Sequence, residues 1–500
     1  MVPKTVIVER TPSEFLSISK YKVSYTDACI DCSLCENICP YGVHMRLPGH
    51  LKMHQPNSSN CIGPKCKENP FYCVSLCPYN AICIESNSDY MVLGDSMWTR
   101  DLLLATWYQA EIGEPPSDIE YRIGNSGGGF DKLRFKFEKE FKDRIDKEKI
   151  KTSIALNKRS YGARINIPIP WYSAGMSFGS ISLNMMLARA MAAQAWNTFV
   201  STGEGGYPEQ LVPYKDNVIT QLATGQFGVT EETISYARIV EIKYAQGAKP
   251  GLGGHLLADK VTPAVANLRE SVPWHTLFSP FPFHSVYSVE DHKKHVDWIS
   301  AMNPDPDILI SAKVSSPTDI EMVAVGCYHA GVNILNVDGS YGGTGAAPDI
   351  AKKNIAMPIE YAIQKVHRFL VDEGVRDELT FMVSGGIRTA YDIAKAVALG
   401  ADGVIIGTAE LVACGCTRCG NCEAGRGCPY GIASTDHELV ELVQPNWGAQ
   451  RISNLYYSWY NQLIDILWKL GLDDIADLRG AGLSEKYKKY GGKGLLKFGG

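Results

Sequence analysis

The chain has 500 residues, 45% hydrophobic and 21% charged, with a formal net charge of -5. These values predict a soluble globular protein of two or three domains and exclude the basic footprint of a nucleic-acid binder. No apolar run reaches the roughly 18 residues that cross a bilayer, and the N-terminus lacks the charged start and apolar core of a signal peptide; both point to the cytoplasm. Fifteen cysteines are unexpected as disulfides where thiols are kept reduced. Nine lie between Cys29 and Cys83, five between Cys414 and Cys428, and Cys327 stands apart, so metal ligation is expected.

Residues 1–25 show no clear period. The run Cys29-x2-Cys32-x2-Cys35-x3-Cys39-Pro40 follows. In this bacterial ferredoxin pattern three thiolates hold one [4Fe–4S] cluster and the fourth reaches a second. A partner run, Cys61-x4-Cys66-x6-Cys73-x3-Cys77-Pro78, has longer first gaps and the same ending. Crossing over assigns Cys29, Cys32, Cys35 and Cys77 to one cluster and Cys39, Cys61, Cys66 and Cys73 to the other. Cys83 is left over as a small core residue. The alternative is a zinc ribbon with four-ligand sets, which two Cys-Pro endings disfavour. Over about residues 20–90 the chain resembles the two-cluster ferredoxins.

Residues 91–160 read as a linker or helical connection. Ser126–Gly129 is a turn, and 131–151 a solvated helix or linker with apolar residues at 133, 135, 137, 141, 145 and 150. From about 161 to 435, β-rich runs end in small residues and alternate with helix-like segments: Arg164–Pro168, Thr198–Ser201, Val240–Lys243, Ile308–Lys313, Asn333–Val337, Thr380–Val383 and Gly403–Ile406. Strands alternating with helices imply a parallel sheet, and seven or eight such units suit an α/β fold of the (β/α)8 TIM-barrel type.

In a barrel the chemistry sits after the strands. The strand ends here are Ser201–Gly206, Ala245–Gly254, Lys313, Asp338–Gly345, Ser384–Arg388 and Gly407–Ala409. Phosphates commonly bind after strands 7 and 8 on backbone N–H groups, the positions of Ser384, Gly385 and Gly386 and of Gly407 and Thr408. Lys313, Asp338, Gly339, Gly343 and Thr344 are further cofactor candidates. No G-x-G-x-x-G fingerprint opens a βαβ unit, so a Rossmann nicotinamide site is not supported. Residues 436–500 form a C-terminal helical region, with Leu455, Trp459, Leu463, Ile464 and Leu467 spaced to pack on the barrel.

Several segments, in order, are similar to the FMN-binding domain of glutamate synthase: Ala174–Ser182, Ser201–Gly206, Gly225–Thr230, Ile242–Gly251, Gly342–Pro348 and Cys428–Ser434. The resemblance covers about residues 160–480. With the ferredoxin-like module in front, the chain resembles the archaeal-type, split large subunit. The resemblance implies FMN as cofactor, with Ser177 and the flavin-contacting Lys313 among its ligands. It implies that Lys249 and Gln246 bind 2-oxoglutarate or its imine, with Glu204 facing them and Arg269 on a carboxylate. A dicarboxylate needs cationic donors, and arginine offers a bidentate fork.

The family uses three cysteines near the C-terminus, usually for a [3Fe–4S] centre, and Cys416, Cys422 and Cys428 match them. Cys419 is added here, so a [4Fe–4S] centre is expected, with Cys414 outside it. At Phe281–Ser288 the family's paired histidines are reduced to His284. No N-terminal nucleophilic cysteine and no glycine-periodic β-helix region is present. The resemblance therefore implies separate glutaminase (amidotransferase) and β-helix subunits, or free ammonia, and an electron-donor protein or reductase subunit. The implied reaction is reductive amination of 2-oxoglutarate to L-glutamate. The alternatives are a methylamine-glutamate N-methyltransferase large subunit and a pure electron-transfer subunit.

Overall fold

The computed structural model describes residues 18–68, 72–115, 130–135, 146–284, 286–342, 347–348, 350–352, 354–422, 427–481 and 496–498. Ser126–Gly129, Gly343 and Thr344 lie outside them. Strand β1 (Tyr21–Tyr25) pairs antiparallel with β2 (Ile82–Ser86), Tyr21 opposite Ser86 and Tyr25 opposite Ile82. The two cysteine runs, between these strands in sequence, form the short helices Leu34–Ile38 and Cys73–Leu76. The fully buried core of the module is Val23, Val43, Cys73 and Ile82. So few apolar residues give little stability on their own, and thiolate–metal bonds are the usual supplement in such a module.

Within the connection to the barrel, the described residues include a long helix that the sequence did not single out. Helix Arg100–Ile112 starts on Thr99, whose side chain accepts the Leu102 N–H, and stops at Gly113 with φ +83°. It buries Leu102, Leu103, Trp107 and Ala110. Within 131–151, where a helix or linker was the expectation, Leu133–Phe135 is instead a strand, β3, paired antiparallel with β16 (Leu496–Phe498). Phe130 and Leu133 are buried in the main core, and that burial decides the local conformation.

Eight parallel strands close the barrel in the order β6 (Trp171–Ser173), β7 (Val200–Ser201), β8 (Val218–Ala223), β9 (Ile239–Lys243), β12 (Leu309–Ser315), β13 (Ile334–Asp338), β14 (Thr380–Ser384) and β15 (Gly403–Ile406). The last strand returns to the first, with Val404 beside Trp171. Arg164–Pro168 is not one of them. It contributes β5 (Asn166–Ile167), which pairs antiparallel with β4 (Ile154–Ala155) outside the barrel. The true first strand follows Pro170, and the third was not legible as a run. Between β9 and β12 the chain leaves the barrel through the antiparallel pair β10 (His255–Leu256) and β11 (Leu277–Phe278).

The helix Pro445–Leu470 begins on a proline at its first turn, where the missing N–H costs nothing, and ends at Gly471 with φ +73°. Leu455, Trp459, Leu463, Ile464 and Leu467 are all buried, as the spacing predicts. It packs on both helix Leu183–Ala195 and helix Arg100–Ile112. Trp459 meets Trp171 edge to face, with centroids 6.2 Å apart, a geometry that adds about 0.5–1.5 kcal/mol to simple burial.

Candidate functional site

The barrel interior below the mouth is polar. Gln221 Nε2 donates to Glu241 Oε1 at 2.6 Å, Asn336 Nδ2 to Glu241 Oε2 at 3.0 Å and Ser311 Oγ to the same oxygen at 3.5 Å. A buried carboxylate without such donors would be severely penalised. None of these side chains was singled out from sequence. The available signal was a polar residue at every second position of β9, β12 and β13, read against the strand period, whereas β8 carries Thr220 and Gln221 side by side.

One step higher, at the strand ends, β9 and β12 place Lys243 and Lys313 side by side as register partners. Lys243 Nζ pairs with Glu204 Oε2 at 3.1 Å, both side chains nearly buried. Glu204 Oε1 is buried without a hydrogen-bond partner. Lys313 Nζ lies 4.0 Å from Asp338 Oδ2. Asp338 is committed to protein contacts: it accepts the Gly247 N–H at 2.8 Å and the Ser384 hydroxyl at 2.6 Å. Its geometry is that of a clamp holding the loop of Gln246 and Lys249 to the loop after β14.

Lys249 is 2% exposed. Burial, then the positive charge of Lys243, pushes its amine down to about 8, with Glu204 pulling the other way. Arg269 follows helix Pro263–Leu268. Its Nη2 donates to Ser177 Oγ at 2.9 Å and to the Phe178 carbonyl at 3.0 Å, while Nε is buried without a partner. Burial lowers its pKa to about 10, against the pull of Glu204. Gly205, with φ +135°, is needed here, since a Cβ would fall 2.5 Å from the Arg269 Cζ. Gln246 is half-buried, and its carbonyl accepts the Lys249 N–H at 3.2 Å. Glu204, Lys249 and Arg269 are thus brought together with Lys243, which sequence reading passed over as a strand terminus.

The phosphate positions also converge. Gly385, with φ +93°, packs against the next strand end so closely that a Cβ would lie 2.7 Å from the Gly339 carbonyl oxygen. Among the described residues the N–H groups of Gly385, Gly386, Gly407 and Thr408 donate to no protein acceptor. Free N–H groups on glycine-rich loops and at a helix start, Thr408–Ala413, fit a phosphate dianion. Arg388 is turned away from this cradle. It is fully buried and bonds Asp392, Asp131 and the Met97 carbonyl.

Helix Thr408–Ala413 leads to the C-terminal cysteines. Beneath it Glu410, fully buried, accepts from the hydroxyls of Ser173 and Tyr456 and pairs with Arg189 Nε at 2.6 Å. Arg189 also donates to the Ala174 carbonyl, tying this helix to the first strand end. Cys416 is pushed up to about 11 by burial, with the thiols of Cys428 and Cys422 adding to the effect and Arg418 opposing it. Cys422 and Cys428 thus act on Cys416 electrostatically, while Cys419 is exposed. Cys414 points elsewhere, its Sγ 3.7 Å from the Gly448 carbonyl.

In the N-terminal module Cys29, Cys32, Cys35, Cys73 and Cys77 line one cavity with Tyr25. Cys73 also looks the other way. Burial and then the neighbouring thiols of Cys39, Cys61 and Cys66 push it up to about 12. Thiols raised this way become ligands only when a cation compensates the charge. Cys83 sits in β2 opposite Ser24, away from both groups. No group of His, Cys, Asp or Glu among the described residues is arranged to hold a single metal ion; a cube spreads its thiolates wider than one ion does. At the histidine departure, Phe283 is buried against Tyr244 and His295 and His284 is exposed.

Residues 128–473 match the conserved region in glutamate synthase. The archaeal-type glutamate synthase [NADPH] of Thermotoga maritima is 35% identical over 482 residues, covering 90% of this chain and 91% of that one. The archaeal glutamate synthase [NADPH] of Archaeoglobus fulgidus is 34% identical over 488 residues, 91% of each chain. The glutamate synthase [NADPH] large chain of Azospirillum brasilense is 34% identical over 312 residues, 61% of this chain but 20% of that one. Family match, near full-length relatives and a barrel mouth that gathers Glu204, Lys249 and Arg269 agree: the chain belongs to the glutamate synthase family and is an oxidoreductase of its archaeal type.

Proposed function

We propose that the chain reductively aminates 2-oxoglutarate, through 2-iminoglutarate, to L-glutamate on an FMN held at the barrel mouth. The observation that carries this reading is the buried pair of cations, Lys249 and Arg269, set around Glu204 beside the glycine cradle. Two carboxylates require two cationic partners, and Arg269 keeps Nε uncommitted. Glu204 Oε1, also uncommitted, is an acceptor for the N–H of ammonia or iminium, and Lys243 holds the carboxylate in place. Gln246 offers its amide to the same ligand.

The residues fit FMN. Gly385, Gly386, Gly407 and Thr408 would take its phosphate, with Gly343 and Thr344 on the neighbouring loop. Lys313 would face the ring, where a cation favours the anionic reduced form; Ser177, Gly339 and Ser384 complete the lining, and Asp338 positions it. When bound, the flavin supplies hydride to the imine carbon.

Cys29, Cys32, Cys35 and Cys77 would hold one [4Fe–4S] cluster, Cys39, Cys61, Cys66 and Cys73 a second, and Cys416, Cys419, Cys422 and Cys428 a third, four-iron centre. Such clusters supply electrons one at a time. The division into a module at 1–90, a connection at 91–160, a barrel at 161–435 and a helical region at 436–500 belongs to this proposal, as do a cytoplasmic site of action, a separate glutaminase, a β-helix subunit and a protein electron donor. The test is anaerobic purification followed by assay with 2-oxoglutarate, dithionite and either ammonium or methylamine. Glutamate formed from ammonium supports the reading; N-methylglutamate from methylamine alone, or neither product, refutes it.

A further inference from the structure

The cysteines of the two N-terminal runs approach both ends of the β1–β2 antiparallel pair, with Cys73 facing both sets. Tyr25, at one end, lines the cavity of Cys29, Cys32, Cys35, Cys73 and Cys77, its hydroxyl 3.9 Å from Cys35 Sγ. Gly63, between Cys61 and Cys66, lies on the ring of Tyr21, where a Cβ would come within 2.2 Å. Tyr21 opposes Ser86, the end from which the chain runs on through Asn87, whose Nδ2 donates to the Ser19 carbonyl at 2.7 Å. The loop of Cys61 and Cys66, joined to Cys39 through Cys73, is therefore on the inner side.

From that end the chain continues into a short strap, residues 94–98, pressed onto the C-terminal cysteine loop. The Gly94 N–H donates to the Thr417 carbonyl at 3.0 Å. Asp95 accepts the N–H groups of Met97 and Trp98 at 2.7 and 2.8 Å and pairs with Arg418 Nη2 at 2.8 Å and Nε at 2.9 Å. Arg418 takes a left-handed φ of +57°, rare for a residue with a side chain, and this turn brings it to Asp95. At the other end the Met97 carbonyl accepts from Arg388 Nη1 at 3.1 Å. Burial opposes ionisation of Asp95, yet Arg418 and the two N–H groups hold its carboxyl below the usual range.

We propose that the strap of residues 94–98, through the Asp95–Arg418 pair and the Gly94–Thr417 hydrogen bond, positions the inner thiolate group against the loop of Cys416, Cys419, Cys422 and Cys428 for electron transfer. The inference rests on the proposed function. Reduction of one imine to an amine takes two electrons and two protons, so two single-electron transfers cross the strap for each glutamate formed, with protons taken from solvent. Asp95 and Arg418 are positioning residues, since neither touches substrate.

The test uses the iron-loaded, flavin-loaded full chain, reduced anaerobically with dithionite, freed of excess reductant and mixed rapidly with 2-oxoglutarate and ammonium. Flavin oxidation gives the first absorbance phase and iron–sulfur reoxidation the second. Asp95→Asn keeps the acceptor for Met97 and Trp98 but loses the charge; it should slow the second phase about tenfold and leave the first unchanged. Arg418→Gln should do the same, whereas Asp95→Glu and Arg418→Lys recover most of the rate at equal iron content. An unchanged second phase in both charge-loss variants overturns the strap. Absence of the first phase in the unaltered protein overturns the proposed function instead. In that event EPR of the dithionite-reduced chain, which needs no substrate, still decides: magnetic coupling between the inner and C-terminal centres should weaken in Asp95→Asn, and equal coupling overturns the inference.

Discussion

Lys249 is placed where its charge costs the ligand-free fold stability and, on the proposed function, would serve the ligand. Its amine titrates near 8 rather than 10.5, which corresponds to roughly 3 kcal/mol against the charged form. A folded-state value below the unfolded one means that, between about 8 and 10.5, the unfolded chain holds a proton the folded chain lacks. Stability therefore rises with pH through that window, and the full penalty is present below it. Lys249→Met keeps an unbranched stem and removes the charge. At pH 7 it should stabilise the ligand-free protein by about 2 kcal/mol once imperfect packing is allowed for, an advantage that narrows by pH 9. The same change removes one of two cations offered to the dicarboxylate. A hydrogen bond to a charged group is worth about 1.5–3 kcal/mol, so the Kd for 2-oxoglutarate should rise about 10- to 150-fold.

Thermal unfolding at pH 7 and 9, with calorimetric titration of 2-oxoglutarate, reads both effects. In the unaltered protein, binding above pH 8 should take up a proton, visible as a buffer-dependent heat. A variant that is less stable at pH 7 and binds 2-oxoglutarate normally would refute the reasoning.

Gly385→Ala places a Cβ against the Gly339 carbonyl at a left-handed φ; the purified protein should carry little FMN while far-UV dichroism stays unchanged. Glu410→Ala leaves Arg189 as an uncompensated buried charge, so unfolding should be easier by about 3–5 kcal/mol, measured by denaturant titration. Cys419→Ser should lower the iron content and alter the EPR signal of the C-terminal centre; an unchanged signal shows that Cys419 is no ligand.

The barrel was legible because several β-rich runs closed by small or charged residues alternate with helix-like segments, as in Thr380–Val383 and Gly403–Ile406. Two strands failed for different reasons. Arg164–Pro168 looks like a strand but stops at Pro168 and Pro170, and the three residues Trp171–Ser173 that follow are too short to show a period. Val218–Ala223 carries Thr220 and Gln221 in its middle, and Gln221 is there to satisfy Glu241 inside the barrel, so the apolar pattern breaks at the site itself. Lys249, Glu204 and Arg269 were legible through family resemblance. Lys243 was not, because a lysine closing a strand looks solvent-bound until the register sets it beside Lys313 and under Glu204. The crossed cysteine grouping was read from the ferredoxin-type spacing and remains part of the proposed function; the structure sets Cys73 between the two sets.

The helix Pro445–Leu470 has one more implication. It rests on helix Leu183–Ala195 on one side and helix Arg100–Ile112 on the other, and Tyr456 reaches Glu410 beneath the cysteine loop. Segments far apart along the chain thus share a single keystone, and cutting the gene at 160 or 435 would expose Trp171, Trp107 and their apolar neighbours together. A barrel expressed alone should therefore collect in inclusion bodies, because each of the three segments covers apolar surface of the other two.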